Sequence, residues 1–237
     1  MSLSILVFTR GDAFAPPFLA DMWPLSRSLG AELVIAGDGD AGMALAQRFA
    51  DVAVPVHCDR IQETEIARAS GFCRGEWVLK LDDDDSLSPA LIDFLRRYNW
   101  QTAGPKAYAF PYAWLWGDHK HFITSPPFWP DPHPRLMVKG EMARWPTGVH
   151  QNHPASSVLM PLALLHHKFL AKTLDERREV AARYDSLQQG AGTGEHYGKF
   201  SLPELYCETL TVREVGDGNV GLNEWTGTGE TVKVEKI

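Results

Sequence analysis

Short apolar runs alternate with amphipathic stretches through the first hundred residues. "LSILVFTR" (3–10) is rich in β-branched and apolar positions and is followed by Gly11 and Asp12. That is the pattern of a buried strand ending in a loop. "AELVIAGDGD" (31–40) repeats it, "DVAVPVH" (51–57) is a third short strand, and "EWVLKL" (76–81) a fourth. Between them "PFLADMWPLSRSL" (17–29), "AGMALAQRFA" (41–50) and "RIQETEIARASGFCRG" (60–75) carry helical patterns. A further helix is predicted over "SPALIDFLRRY" (88–98), with Ser88 as N-cap and Pro89 at its first position.

Such alternation with short links predicts an α/β fold with a mostly parallel central sheet flanked by helices. In that architecture ligands bind beyond the carboxyl ends of the strands. The polar groups at those ends are Thr9, Arg10, Asp12, Asp38, Asp40 and the run 82–85.

The pattern changes after about residue 98. Residues 104–154 are rich in Trp, Pro, His and Gly. Alternation in "KAYAFPYAWLW" predicts strands there, and the Pro-rich part predicts long ordered loops over the sheet. Residues 162–187, "LALLHHKFLAKTLDERREVAARYDSL", read as one long charged helix, followed by a Gly-rich segment and a polar tail. No repeat or linker divides the chain. The expectation is one domain over 1–237, with a nucleotide-binding half (1–100), an acceptor and metal-completing half (101–190) and a C-terminal extension (191–237).

Composition narrows the class. With 237 residues, 44% hydrophobic and 22% charged, the chain is of ordinary globular make-up. A net charge of −7 without a basic block argues against broad binding to a nucleic-acid backbone. Three scattered cysteines (Cys58, Cys73 and Cys207) form no CxxC pair and read as reduced thiols. The N-terminus lacks a secretory pattern, and no apolar run reaches the roughly 20 residues of a membrane span. A soluble, cytoplasmic protein is expected.

The feature that asks for chemistry is "WVLKLDDDDSLSP" (77–89), four aspartates directly behind a buried strand. Clustered carboxylates on a strand-end loop are hard oxygen ligands suited to Mg²⁺ or Mn²⁺. Such an ion takes one or two protein carboxylates and completes its shell with water and phosphate. Asp84 is the candidate metal ligand, with Asp82 and Asp83 on the donor and Asp85 in support. The bland alternative is a solvated acidic turn in which Asp85 or Ser88 caps the next helix.

Here "GEWVLKLDDDDSLSPALIDFL" resembles the Asp-x-Asp signature of family 2 glycosyltransferases of the GT-A, Rossmann-like fold. The likeness extends to the first strand ending in Thr9 and to "VIAGDGD", similar to the strand whose Asp contacts the nucleobase or ribose. Further on, "PHPRLMVKGEMARWPTGVHQ" resembles the family's Arg-Leu segment and Gly-x-Val-His-Glu element. "LLHHKFLAKTLDERREVAARY" is similar to its His-containing segment and basic helix. The resemblance implies a nucleotide-diphospho-sugar donor held by Thr9, Arg10 and Asp38, and a divalent metal completed by His166 or His167. It also implies transfer of a sugar to a hydroxyl acceptor, be it glycan, lipid-linked sugar, protein or modified nucleic-acid base. Arg177, Arg178 and Arg183 are candidate phosphate contacts on the basic helix, although a solvated helix face would carry the same residues.

Of nine histidines, His150 is the alternative metal ligand or part of the acceptor wall. Where the family has Glu after Val-His, this chain has Gln151, which takes no proton. The general base therefore lies elsewhere, among Asp131, Asp118 and His150, or configuration is retained, or activity is impaired. Trp114, Trp116, Phe128, Trp129 and Trp145 offer flat faces for a sugar or base, or else core packing; Trp116 and Trp145 are the chosen acceptor candidates, with His167 beside them. Two other classes remain. A nucleotidyltransferase of similar fold would usually carry a Gly-rich basic N-terminal loop, and "TRGDAFAPPF" has one Gly and one Arg. A non-catalytic Ca²⁺- or carbohydrate-binding module would show a calcium-loop spacing that is absent after the aspartates.

Overall fold

A computed structural model of the chain describes residues 2–58, 61–99, 104–151, 153, 156–219 and, for the backbone, 230–233. Strand and helix alternate at first: β1 (Leu3–Thr9), α1 (Ala15–Ser28), β2 (Glu32–Asp38), α2 (Gly39–Phe49), β3 (Val52–Val56), α3 (Glu63–Ser70) and β4 (Trp77–Asp82). Then follow β5 (Asp85–Leu87), α4 (Pro89–Arg97), β6 (Ala107–Trp114), β7 (His121–Ile123), β8 (Pro132–Val138) and α5 (Lys139–Met142). The remainder is β9 (Val158–Leu159), β10 (Leu164–His166), α6 (Lys168–Ala171), α7 (Leu174–Leu187), α8 (Glu195–Ser201), α9 (Pro203–Tyr206), β11 (Thr209–Glu214) and β12 (Glu230–Lys233).

The main sheet has the order β3-β2-β1-β4-β8-β6-β10-β5, with β9 also paired to β6. Strands β3, β2, β1 and β4 are parallel, as are β6, β9 and β10, while β8 and β5 run against their neighbours. This is the mixed α/β fold with a large, mostly parallel sheet that the alternation implied. A smaller sheet, β12-β11-β7, joins the C-terminal part back to the middle of the chain.

Every residue of β1 is buried, because helices cover both faces. Leu3, Ile5 and Val7 join Leu33, Ile35, Leu79 and Leu81 in one core with Leu19, Met22, Leu91 and Leu95 from α1 and α4. Leu6 and Phe8 point the other way, with Val34, Ala36 and Val78, onto Ile66 and Ala69 of α3. At about 25 cal/mol per Å² of apolar surface, this two-sided burial is the main force holding the first half together. Helix α4 begins as the sequence predicts: the Ser88 hydroxyl accepts from Leu91 N, and Pro89 fills the first turn.

The long helix expected over 162–187 is a correction. Residues 164–166 form β10, which pairs with β6 and β5, and a continuous helix starts only at Leu174. Thr173 is extended and caps α7 in a reciprocal box with Glu176, which ends any helix arriving from its N-terminal side. The Pro-rich segment is more regular than loops alone, since it contains β7, β8 and α5. The predicted polar tail lies mostly outside the described residues.

Candidate functional site

Because β1, β2 and β4 run parallel in register, Thr9, Asp38 and Asp82 arrive at the same sheet edge. There a cleft of about 980 Å³ opens, walled also by the starts of α3 and β8, by α7 and by α8. Its floor is closed backbone to backbone. A Cβ on Gly42 would stand 2.5 Å from the Thr9 carbonyl oxygen, and one on Gly37 would stand 2.6 Å from the Gly42 carbonyl carbon. Beside this turn Asp38 accepts from Arg10 Nε at 3.2 Å and from Cys58 N at 3.3 Å. The Thr9 hydroxyl accepts from Gly11 N at 3.1 Å.

Each aspartate of the run meets a different partner. Strand period places Lys80 and Asp82 on one face, and the Lys80 ammonium, 1% exposed, bonds the Asp82 carboxylate. Gln62 Nε2 donates to the same carboxylate at 2.6 Å and Arg135 at 3.3 Å. Burial works against its charge, yet Lys80 and Arg135 hold Asp82 far below the usual carboxylate range. Burial, reinforced by the Asp84 charge, pushes Asp83 upward, with the Thr9 hydroxyl opposing.

Asp84 receives Lys172 Nζ at 2.7 Å. Against burial, that ammonium and His166 bring its carboxyl down. Asp85 is wholly enclosed and accepts from Tyr112 Oη at 2.9 Å and Asp82 N at 3.0 Å, and pairs with His166 Nδ1 at 2.7 Å. The β5–β10 pairing sets Asp85 directly opposite His166.

Asp84, Asp85 and His166 thus form a buried group whose ligating atoms lie within 4.8 Å of one another, and it could hold a metal ion. The donor chemistry fits. Two carboxylates and an imidazole suit a hard divalent cation that leaves other positions to water or phosphate. Lys172 occupies one oxygen of Asp84, while the other lies 3.8 Å from His166 Nδ1. Burial and the Asp84 charge disfavour the ionised form of Asp83, and an added cation would offset both.

Tyr112 of β6 stacks on an imidazole from each neighbouring strand, His133 of β8 at 4.2 Å and His166 of β10 at 4.8 Å between ring centroids. His133 Nε2 and Trp114 Nε1 both reach Asp131 Oδ2, at 2.8 and 3.0 Å. Burial resists, but the His133 hydrogen bond and charge keep Asp131 below its ordinary pKa.

Toward the opening, His150 adopts φ 52°, stacks on Tyr197 at 4.2 Å and bonds the Ala191 carbonyl through Nε2 at 2.8 Å. Desolvation lowers its pKa. Trp145 and Gln151 line the same mouth, and the Trp145 indole N–H has no hydrogen-bond partner among the described residues. Arg183 also reaches the cleft, its Nε likewise unpartnered. Lys168 lies behind Lys172; burial and that neighbouring charge bring its ammonium down to about 7.

The cleft therefore gathers Thr9, Arg10, Asp38, Asp82, Asp83, Asp84, Asp131, His150, Gln151, His166 and Trp145 from the residues singled out in the sequence. Six others do not reach it in the expected way. Asp85 is sealed beneath, and Ser88 rather than Asp85 caps α4. Trp116 packs edge-on to Phe169, and His167 pairs with Ser86 at 2.7 Å, away from the acids. Asp118 binds His121 on an exposed turn. Arg177 is committed to Glu204 and the Ser201 carbonyl, and Arg178 to Asp175, which leaves Arg183 as the basic-helix residue on the cleft.

Reading along the chain gave no role to Lys80, Arg135, His133, Lys168 or Lys172. Lys80 was signalled by its place two residues before Asp82 on a strand. The α8 residues His196, Tyr197 and Phe200 also line the cleft, although the Gly-rich segment before them gave no sign of it.

No protein-family model matches the sequence, and no curated protein matches it. Among solved structures the chain is similar to residues 1–349 of TarS from S. aureus, at 14% identity over 86% of this chain and 73% of that one, with a TM-score of 0.40. The same fragment in complex with UDP gives 11% identity over 84% and 70%, with a TM-score of 0.43. The bifunctional IspDF from Campylobacter jejuni gives 10% identity over 78% and 55%, with a TM-score of 0.37. At such values the site is read from this chain's own residues.

Proposed function

We propose that the chain is a metal-dependent glycosyltransferase that moves a sugar from a nucleotide-diphospho-sugar to a hydroxyl acceptor. The observation that carries this reading is the buried Asp84–Asp85–His166 group at the carboxyl ends of parallel strands, with the Lys172 ammonium on it. In this reading Thr9, Arg10 and Asp38 receive the nucleoside in the crevice beside β2. Asp84 and His166 hold Mg²⁺ or Mn²⁺, and Asp85 orients the imidazole from beneath, as a carboxylate behind a ligating histidine does. The bound cation would supply charge neutralisation for the departing diphosphate.

Lys172 adds positive charge on Asp84, and Arg183 adds it farther along the same cleft beside Arg10 and Asp12, a preorganised arrangement that costs no reorganisation during reaction. Asp82 serves as the anchor of Lys80 and Arg135 and sets the field under the donor. Asp83 lies buried against the Thr9 hydroxyl. Trp145, Gln151 and His150 form the mouth through which an acceptor enters.

Calorimetry with UDP and GDP in Mn²⁺, against nucleoside triphosphates in Mg²⁺, tests the donor class. Binding confined to the diphosphates is the expected result, and binding confined to the triphosphates would replace this reading with nucleotidyl transfer. Asp84→Asn is expected to keep its circular dichroism spectrum and lose roughly 10²–10³-fold in Mn²⁺-dependent donor hydrolysis. Undiminished turnover in that variant would sink the metal site.

A further inference from the structure

We propose that His133, oriented by Asp131, is the base that takes the proton from the acceptor hydroxyl, so that transfer inverts the anomeric centre. The proposal rests on the glycosyl-transfer reading above and deepens it.

Asp131 is poorly suited to take a proton itself. Its Oδ2 already accepts from Trp114 Nε1 and bonds His133 Nε2, and the pairing stabilises its charged form. The bond to Nε2 instead fixes the imidazole. With the hydrogen on Nε2, the lone pair sits on Nδ1, which has no hydrogen bond among the described residues. The side chain is 31% exposed on the cleft wall, and stacking on Tyr112 at 4.2 Å holds the ring plane. A carboxylate bonded to one ring nitrogen both selects the tautomer and stabilises the imidazolium that forms. His150 lacks such a carboxylate; its Nε2 is spent on a backbone carbonyl.

Position separates the two halves of the reaction. The strand order β8-β6-β10 places the Tyr112 ring between His133 and His166. The acceptor oxygen approaches on the His133 side and forms its bond to the anomeric carbon while its proton passes to Nδ1. The bond from that carbon to the diphosphate breaks, and its electron pair leaves on the diphosphate oxygen, beside Asp84, His166 and Lys172. Attack and departure on different sides of one carbon give inversion. The imidazolium then returns its proton to solvent.

The charged or titratable groups facing His133 are Asp131, Tyr112 stacked on its ring, Arg135 over the Tyr112 ring at 5.2 Å, His166 behind Tyr112, and His150 across the cleft. Of these only Asp131 bonds it directly.

The experiment measures nucleotide release from UDP-glucose and UDP-N-acetylglucosamine with Mn²⁺ across pH, together with UDP and GDP binding. Wild-type kcat/KM is expected to fall toward acid pH, as protonation removes the base. His133→Asn is expected to bind nucleotide unchanged, lose about 10²–10⁴-fold in rate and lose the acid limb. Asp131→Asn is expected to move that limb to lower pH. Histidine ¹⁵N NMR, with His133→Asn for assignment, is expected to show hydrogen on Nε2 and a bare Nδ1. A His133→Asn rate within about threefold of wild type overturns the proposal while nucleotide binding leaves the parent reading standing. An Nδ1–H tautomer does the same, and decides the matter where water turns over too slowly to follow. Wild type that binds neither UDP nor GDP overturns both.

Discussion

Four adjacent carboxylates are tolerable at the end of β4 because the chain supplies a separate counter-group to each. Asp82 has Lys80 and Arg135, Asp83 has Thr9, Asp84 has Lys172, and Asp85 has Tyr112 and His166. Removing one member of a buried pair strands the other, which costs more than the pair contributes. Lys80→Met is therefore expected to lower stability by roughly 3 kcal/mol in urea unfolding. Combined with Asp82→Asn it should cost less than the two single changes added; strict additivity would deny the coupling. Asp82 is held low in the fold, so its contribution is full above the unfolded carboxylate value of about 3.9 and fades only below it. The Lys80→Met penalty is accordingly expected at neutral pH and to shrink in strong acid. The acidic run announced itself in the sequence because like charges rarely follow a buried strand. Its partners did not, since Lys172 and His133 look like ordinary surface residues until the strands bring them inward.

At the scale of elements, the first four strands and their helices were legible because apolar runs and loop residues agree with one another. The segment 162–187 was not. Its apolar positions suit a helix, and the short β10 forms only because β5 and β6 offer free edges far away in sequence. That difference decides which histidine matters. β10 ends at His166, which faces the acids, while His167 has already left the strand as the residue that precedes α6 and turns to Ser86. Helix α7 then carries Glu176, Glu179, Val180, Arg183 and Tyr184 to the cleft, and its start is fixed by the Thr173–Glu176 box. Thr173→Ala is expected to cost about 1 kcal/mol in denaturation, with Thr173→Ser close to wild type. Equal losses in the two variants would show that the cap is not the cause.

Across the whole molecule, the cleft depends on long-range ties. Arg177 of α7 grips Glu204 of α9 and the Ser201 carbonyl at the end of α8, and β11 pairs with β7. Arg177→Ala is expected to raise amide exchange across α8 and α9, with β1, β2 and β4 still protected; protection unchanged in 195–206 would refute the tie. These ties have a consequence for the order of events when the chain is made. Lys172 follows Asp84 by 88 residues, and His166 follows Asp85 by 81. At about 5–20 residues per second, a ribosome needs roughly 4–18 seconds to bring out the partners of acids already synthesised. During that interval the strand-end carboxylates have no Lys172 or His166 to meet, and their own repulsion keeps them in water. The nascent β4 end thus stays hydrated until β10 and α6 emerge, which makes closure of the cleft one of the late steps in the protein's birth.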